Sequence, residues 1–267
     1  MVALYNGASG TRPVMKNRKR QLACNAAILL TLLALVLCAA YDPRSRSVND
    51  LVKRFREAHV FWEQYDVAKQ IVASRDRGVL TQLRGYLAVQ DRHERANAAF
   101  IFAGLGDARG LDVLLEILVD QSNRPKGQAY PGFGCLVQRV GDACPYYPNL
   151  QIEADRYYAA NLLGELGDPR AVPALIAVLD VPSVNLAAIW SLAEIDDKRA
   201  VGPLITLLGK DDPTVQVLAI RALAKMDAKE AIPALYRSLD DTQRSHVDDL
   251  VSVKAAAQEA LASLRAK

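Results

Sequence analysis

The 267-residue chain is expected to be all-α: an α-solenoid of about five helical pairs behind an N-terminal membrane helix. Three observations predict this. Four segments, GDARGLDVLLEIL at 106–118, GDPRAVPALIAVL at 167–179, DDKRAVGPLITLL at 196–208 and DAKEAIPALYRSL at 227–239, keep their apolar positions in register, as stacked repeats do. Each is preceded by a second apolar stripe aligned by small residues. Residues 22–40, LACNAAILLTLLALVLCAA, carry no charge.

The uncharged run comes first in the chain. As a helix rising 1.5 Å per residue it is about 28 Å long, close to the hydrocarbon thickness of a bilayer. Lys16, Arg18, Lys19 and Arg20 precede it, whereas Arg44, Arg46, Lys53, Arg54 and Arg56 follow at a greater distance. The denser basic flank stays in the cytoplasm, so the following body is expected on the extracytoplasmic (periplasmic) side of a single-pass membrane protein. Cys38 and Ala40 offer the small residues of a cleavage site, and a secreted periplasmic binding protein released by signal cleavage is the alternative. The span is long enough to be retained and its lead long for a signal peptide, which favours a transmembrane signal-anchor. A lipid-modified cysteine is excluded because Cys38 follows Leu37 and Cys24 lies before the apolar core. The expected organisation is therefore a basic lead (1–21), the anchor (22–41), a juxtamembrane linker (42–59) and a repeat domain (60–267) with an inserted loop at 121–152.

Within the repeat domain, Ala98, Ala159, Ala188, Ala219 and Ala257 align. Four residues later stand Phe102, Leu163, Leu192, Leu223 and Leu261, and three further on Leu105, Leu166, Ile195, Met226 and Leu264. Spacings of four and three keep one stripe on one helical face. The unit is helix, tight turn, helix. Asp168–Pro169 and Asp212–Pro213 put an acceptor at an N-cap and a ring without an N–H at the first helical position. Gly106 and Gly167 end the preceding helices. Val60–Ser74 and Arg77–Leu87 form a less regular first pair, and Val251–Leu264 a last helix without a partner, as end repeats of a solenoid often are.

These residues resemble the HEAT-like repeats of the phycobilisome-lyase (PBS lyase) type, bacterial proteins whose unit reads roughly V-R-x-x-A-A-x-x-L-G-x-L-G-D-P-R-A-V-P-A-L-I-x-L-L. The stretch Arg156–Leu179 carries the likeness through Ala159, Ala160, Leu163, Gly164, Leu166, Gly167, Asp168, Pro169, Arg170, Ala171, Val172, Pro173, Ala174 and Leu175. The resemblance covers roughly 90–265 apart from the insertion. It implies the fold and says little about function, because the shared residues are core and turn positions. Some members of the family resemble subunits that attach or remove bilin chromophores, which makes a bilin/chromophore lyase-like enzyme subunit the alternative from another functional class.

The first and second near-copies start 61 residues apart, against 29 and 31 for the next two steps. The excess lies in 121–152, with four Pro, four Gly and three Tyr and no helical stripe, which reads as an inserted loop. Cys135 and Cys144 are a disulfide candidate. In an oxidising compartment a bridge over so short a loop contributes about 2.5–3 kcal/mol on the chain-entropy account. Zinc wants four ligands and finds two here, so no metal is expected. Tyr130, Phe133, Tyr146 and Tyr147, interleaved with Pro and Gly, suit a partner-binding surface, or fold back over the gap between repeats. Tyr157 and Trp190 are further partner-binding candidates. Arg156 aligns with Arg95 and Lys254 and reads as a structural ion pair between neighbouring repeats.

Charge excludes one class of partner. Residues 1–41 hold five of the basic side chains and no acid, leaving 28 basic against 30 acidic over 42–267, a net of −2. A near-neutral array has no surplus for phosphate, so no nucleic-acid role is expected. Catalysis finds little support either. His59, His93 and His246 sit in different pairs amid charged residues, as exposed helix residues do, and no nucleophile stands with a base. His93–Glu94 is a single pair, too few ligands for the di-iron centre of HEAT-repeat hydroxylases. The expected function is a membrane-tethered protein–protein interaction scaffold with no catalytic activity of its own. It has no catalytic residues, no cofactor and no small-molecule substrate. Its partners are another protein and, through residues 22–41, the membrane.

Overall fold

The computed structural model describes residues 48–122, 148–182, 184–245 and 251–266; the stretch at 22–41 read as an anchor, and the cysteines and aromatic residues of the stretch read as an insertion, lie outside them. Among the described residues twelve α-helices follow in order: α1 Val48–Glu57, α2 Phe61–Ser74, α3 Val79–Leu83, α4 Arg92–Gly104, α5 Ala108–Val119, α6 Pro148–Leu166, α7 Val172–Ala177, α8 Asn185–Ile195, α9 Val201–Leu207, α10 Pro213–Lys225, α11 Ile232–Arg237 and α12 Val253–Ala266. The described residues contain no strand, only one isolated bridge between Arg244 and Ser252. Five pairs result, α2/α3 to α10/α11, with α12 closing the array.

Each first helix packs on the first helix of the next pair, and from α5 onward each second helix packs on the first helix that follows it. The stripe residues make that contact. Phe102, Leu163, Leu192, Leu223 and Leu261 are all buried, as are the aligned alanines. No helix among the described residues is long and apolar enough to cross a membrane.

Every one of the five intra-pair turns has one residue in the left-handed region, Arg75, Gly106, Gly167, Asp196 and Asp227. Two of these are the glycines read from the sequence; the other three bear the steric cost of a Cβ there. The following residue caps the next helical turn: Asp107, Asp168 and Asp197 each accept from the N–H two residues on, 2.9–3.1 Å away, and each also holds the guanidinium of that residue, Arg109, Arg170 or Arg199. In the last copy the cap is Ala228, and no side chain caps the turn.

Two boundaries differ from the sequence reading. The stretch read as a linker contains α1, whose Leu51, Val52 and Phe55 are buried against the first pair. Helix α6 begins at Pro148, inside the stretch read as a loop to 152, because a proline at the first helical position starts a helix that the four-and-three stripe places later.

Helices α6 and α8 approach closely at Gly164. A Cβ there would lie 2.6 Å from Oγ of Ser191, whose hydroxyl donates to the carbonyls of Ala160 (2.8 Å) and Ala187 (2.7 Å). Bonding back to its own helix and across to its neighbour, Ser191 satisfies a buried hydroxyl where a larger side chain would not fit.

Candidate functional site

Helices α2, α4 and α6 meet at the root of the insertion around a buried polar and aromatic cluster. His93 stands in the first turn of α4, behind the cap Asp91, which accepts from the N–H groups of His93 (2.9 Å) and Glu94 (3.0 Å). Its Nδ1 lies 3.2 Å from Oδ1 of Asp155 on α6, and both residues are buried, 3 % and 1 % exposed. The sequence reading placed this histidine on an exposed face. The register is the reason it does not lie there: α4 is covered on one flank by α2 and on the other by α6, so a position bracketed by charges in the chain still turns inward.

The ring of Phe61 packs 4.6 Å from His93 and 5.2 Å from Tyr158, and Tyr158 lies 4.9 Å from His93. The Tyr158 hydroxyl donates to Asn97. The Asn97 amide donates in turn to the Phe61 carbonyl and to Oε1 of Gln64, both at 2.9 Å. Burial pushes the Tyr158 phenol well above its usual range. Tyr65 is pushed up likewise, by burial first and then by Glu165. Both phenols therefore remain protonated donors throughout the physiological range. Glu94 is raised by burial and by Asp91, with His59 opposing.

Arg156, expected to link neighbouring repeats through a structural ion pair, reaches the preceding pair through a hydrogen bond. It is 5 % exposed and its Nε donates to the Leu118 carbonyl at 2.8 Å, closing the C-terminal end of α5. Gln64 and Gln216, at the same register of their helices, donate likewise to Phe55 (3.2 Å) and Leu208 (3.1 Å). Next to it Arg92 holds Asp120 at 2.8 Å. Burial raises the Asp120 carboxyl, but Ser122 and Arg92 outweigh it and hold the group well below the usual carboxylate range. Asp120 and Arg156 thus clamp the two ends of the chain that leave and re-enter the array around the insertion.

Chemically the cluster contains an imidazole–carboxylate pair and protonated phenols, the equipment of proton transfer. It is shielded: a shallow recess lined by His59, Phe61, Asp91 and Glu94 reaches His93 from outside. Among the described residues no group of three or more His, Cys, Asp or Glu side chains is placed to hold a metal ion.

Of the residues singled out from the sequence, Tyr157 and Trp190 are exposed by 37 % and 41 %, on α6 and α8 respectively. Tyr130, Phe133, Tyr146, Tyr147, Cys135 and Cys144 lie outside the described residues. His59 is exposed as read. His93, Asn97 and Asp155 were missed; the available signal was the register itself, since Asp155 occupies the position that Val184, Val215 and Val253 fill with buried apolar side chains.

Comparison with known proteins adds chemistry to this frame. Residues 155–180 match the PBS lyase HEAT-like repeat family, and residues 180–262 match HEAT repeats. The bilin biosynthesis protein PecE of Nostoc sp. (strain PCC 7120) is 54 % identical over 56 residues, 20 % of this chain and 22 % of that protein. PecE of Mastigocladus laminosus is 50 % identical over 56 residues, 20 % of this chain and 21 % of its own. This chain thus spans about a fifth of the length of the curated relatives it matches. Among solved structures, the complex of CpcE and CpcF of phycocyanin lyase from Nostoc sp. gives a TM-score of 0.46 at 24 % identity, covering 75 % of this chain and 65 % of that one. An engineered protein gives 0.46 at 20 %, covering 83 % and 97 %.

The PecE matches overturn the expectation of a scaffold without catalytic activity. Stripe, cap and turn residues build the same rod whether its surface serves a protein or a chromophore, and the relatives that share this stretch are named for bilin biosynthesis. The repeats of this chain are of the HEAT type, and the copy at 155–180 is of the PBS lyase kind.

Proposed function

We propose that the chain is a subunit of a bilin lyase-type enzyme, which holds an open-chain tetrapyrrole and presents it to a protein acceptor. The observation that carries the reading is the 54 % identity to PecE over 56 residues. A tetrapyrrole is a long, flexible, largely apolar molecule with acidic propionate side chains, and a stacked array presents a continuous surface of a length suited to it. The acceptor is the other protein that the exposed Tyr157 and Trp190 would engage. The buried His93–Asp155 pair holds the array in shape around the insertion.

The test is spectroscopic. Full-length protein, purified in mild detergent, is titrated with biliverdin while the visible absorption band is followed. A saturable band shift with increased fluorescence is expected, since a bound bilin loses the freedom to coil. An unchanged spectrum at stoichiometric protein overturns the reading.

The tether is a separate part of the proposal: residues 22–41 would hold the body at a bilayer. Extraction of membranes at alkaline pH checks it, with retention in the pellet expected and full release overturning it.

A further inference from the structure

Two open grooves of the same volume, ≈ 430 Å³ each, lie one repeat apart, within the size range of small-molecule sites. The first is lined by Leu179, Leu186, Leu207 and Val215, and its cation, Lys210, is already bound to Asp180 at 2.9 Å. The second lies between α9 and α11. Ile205, Leu208 and Ala234 supply apolar lining, Thr206 and Ser238 hydroxyls, and Arg237 its cation.

Arg237 differs from Lys210 in being unengaged. Among the described residues no carboxylate lies within ion-pair distance of it. Asp241 shares the groove, and its Oδ1 accepts the Gln243 N–H at 2.9 Å. The buried amide of Gln216 also lines the groove, with its Nε2 committed to the Leu208 carbonyl. The register sharpens the difference. The position of Arg237 holds Glu116, Ala177 and Thr206 in the three preceding second helices, so Arg237 is the one cation at this register.

A groove of mixed lining that sets apolar side chains beside an uncommitted guanidinium is complementary to an apolar molecule that carries a carboxylate, because a planar guanidinium holds a carboxylate through two parallel hydrogen bonds. Resting on the bilin reading above, we infer that the α9/α11 groove binds a propionate arm of the tetrapyrrole: Arg237 pairs with the carboxylate, and Ile205 and Ala234 cover the adjoining pyrrole ring. The Lys210 groove does not share this role, its charge being neutralised at home.

Full-length protein is titrated with biliverdin and with biliverdin dimethyl ester, in which both propionates are blocked. Arg237→Gln is expected to raise the biliverdin Kd about tenfold, the loss of one charge-assisted contact. The wild type should bind the ester about as weakly as Arg237→Gln binds biliverdin. Thr206→Glu, an exposed change that puts a carboxylate beside Arg237, should weaken binding at least as much, and Lys210→Gln should leave it unchanged. Unaltered circular dichroism confirms that the variants fold. Equal affinities of wild type and Arg237→Gln for biliverdin, or equal weakening by Lys210→Gln, would overturn the groove assignment while the bilin reading stands. A wild type that gives no band shift overturns both.

Discussion

The two halves of the array are built on one register and filled with opposite chemistry. On the first helices of the pairs flanking the insertion, Glu94 and Asp155 occupy the position held further on by Val184, Val215 and Val253. Asn97 and Tyr158 likewise stand where Ala187, Leu218 and Ala256 follow. Apolar contact tolerates small shifts between helices, whereas the His93–Asp155 pair and the Tyr158–Asn97–Gln64 chain allow one arrangement. Directional bonding sits where the repeat is interrupted, at the step where successive near-copies start 61 residues apart. The lesson is that inward positions beside an insertion can carry polar side chains where the regular repeats carry apolar ones.

The comparison is broken most severely by removing half of the buried pair. Asp155→Ala should destabilise the protein by about 3–5 kcal/mol, read as a lower midpoint in urea, because His93 loses its partner inside the core. The double change His93→Leu with Asp155→Val, which replaces both partners by apolar side chains, should recover most of that loss. If the double variant were no more stable than Asp155→Ala, the pair would not be the unit that distinguishes the halves.

A smaller effect is expected at the α6/α8 contact. Gly164→Ala brings a methyl into Ser191 and should cost about 1–3 kcal/mol, since either the serine rotamer or the helix spacing must yield. Helix caps come next. Asp212→Ala removes the acceptor for the N–H groups of Thr214 (2.8 Å) and Val215 (3.2 Å) and should cost about 1 kcal/mol in thermal unfolding. In the opposite direction, Asp227→Gly relieves a left-handed residue, φ 49°, and should stabilise the last turn by up to about 1 kcal/mol.

The mildest test uses pH. Asp120 and Asp168 are held below the usual carboxylate range, and Asp197 down to about 2. Lowered folded values mean stability present above the unfolded carboxylate pKa and lost as the pH falls through the folded ones, so unfolding midpoints should drop on acidification below about pH 4. Glu94 has the opposite sign. Its raised value disfavours the folded state once the group ionises, so Glu94→Gln should stabilise the protein slightly at neutral pH and have no such benefit well below pH 4.

Much of the rod was legible from the chain. The five intra-pair turns, the closing helix and the caps at Asp168 and Asp212 stand where periodicity and turn chemistry put them, because those signals are local. The start of α6 and the presence of α1 were not. A short amphipathic helix outside the repeat consensus has no second copy to align with. The polar cluster was the hardest to read, since His93 amid Asp91, Arg92, Glu94 and Arg95 has the neighbours of an exposed residue. The free guanidinium of Arg237 was likewise invisible, because an arginine in the last turn of a helix is ordinarily explained by the helix dipole.

By itself the sequence determined the repeat, its register and the caps, all of which depend on residues within a turn or two of one another. Tertiary structure alone decided which inward positions meet. Asn97 and Tyr158 are 61 residues apart, Arg156 and the Leu118 carbonyl 38. Periodicity states that a side chain faces inward; whether it finds an imidazole, a carbonyl or a methyl there depends on how the neighbouring helix is rotated, and that is set by packing.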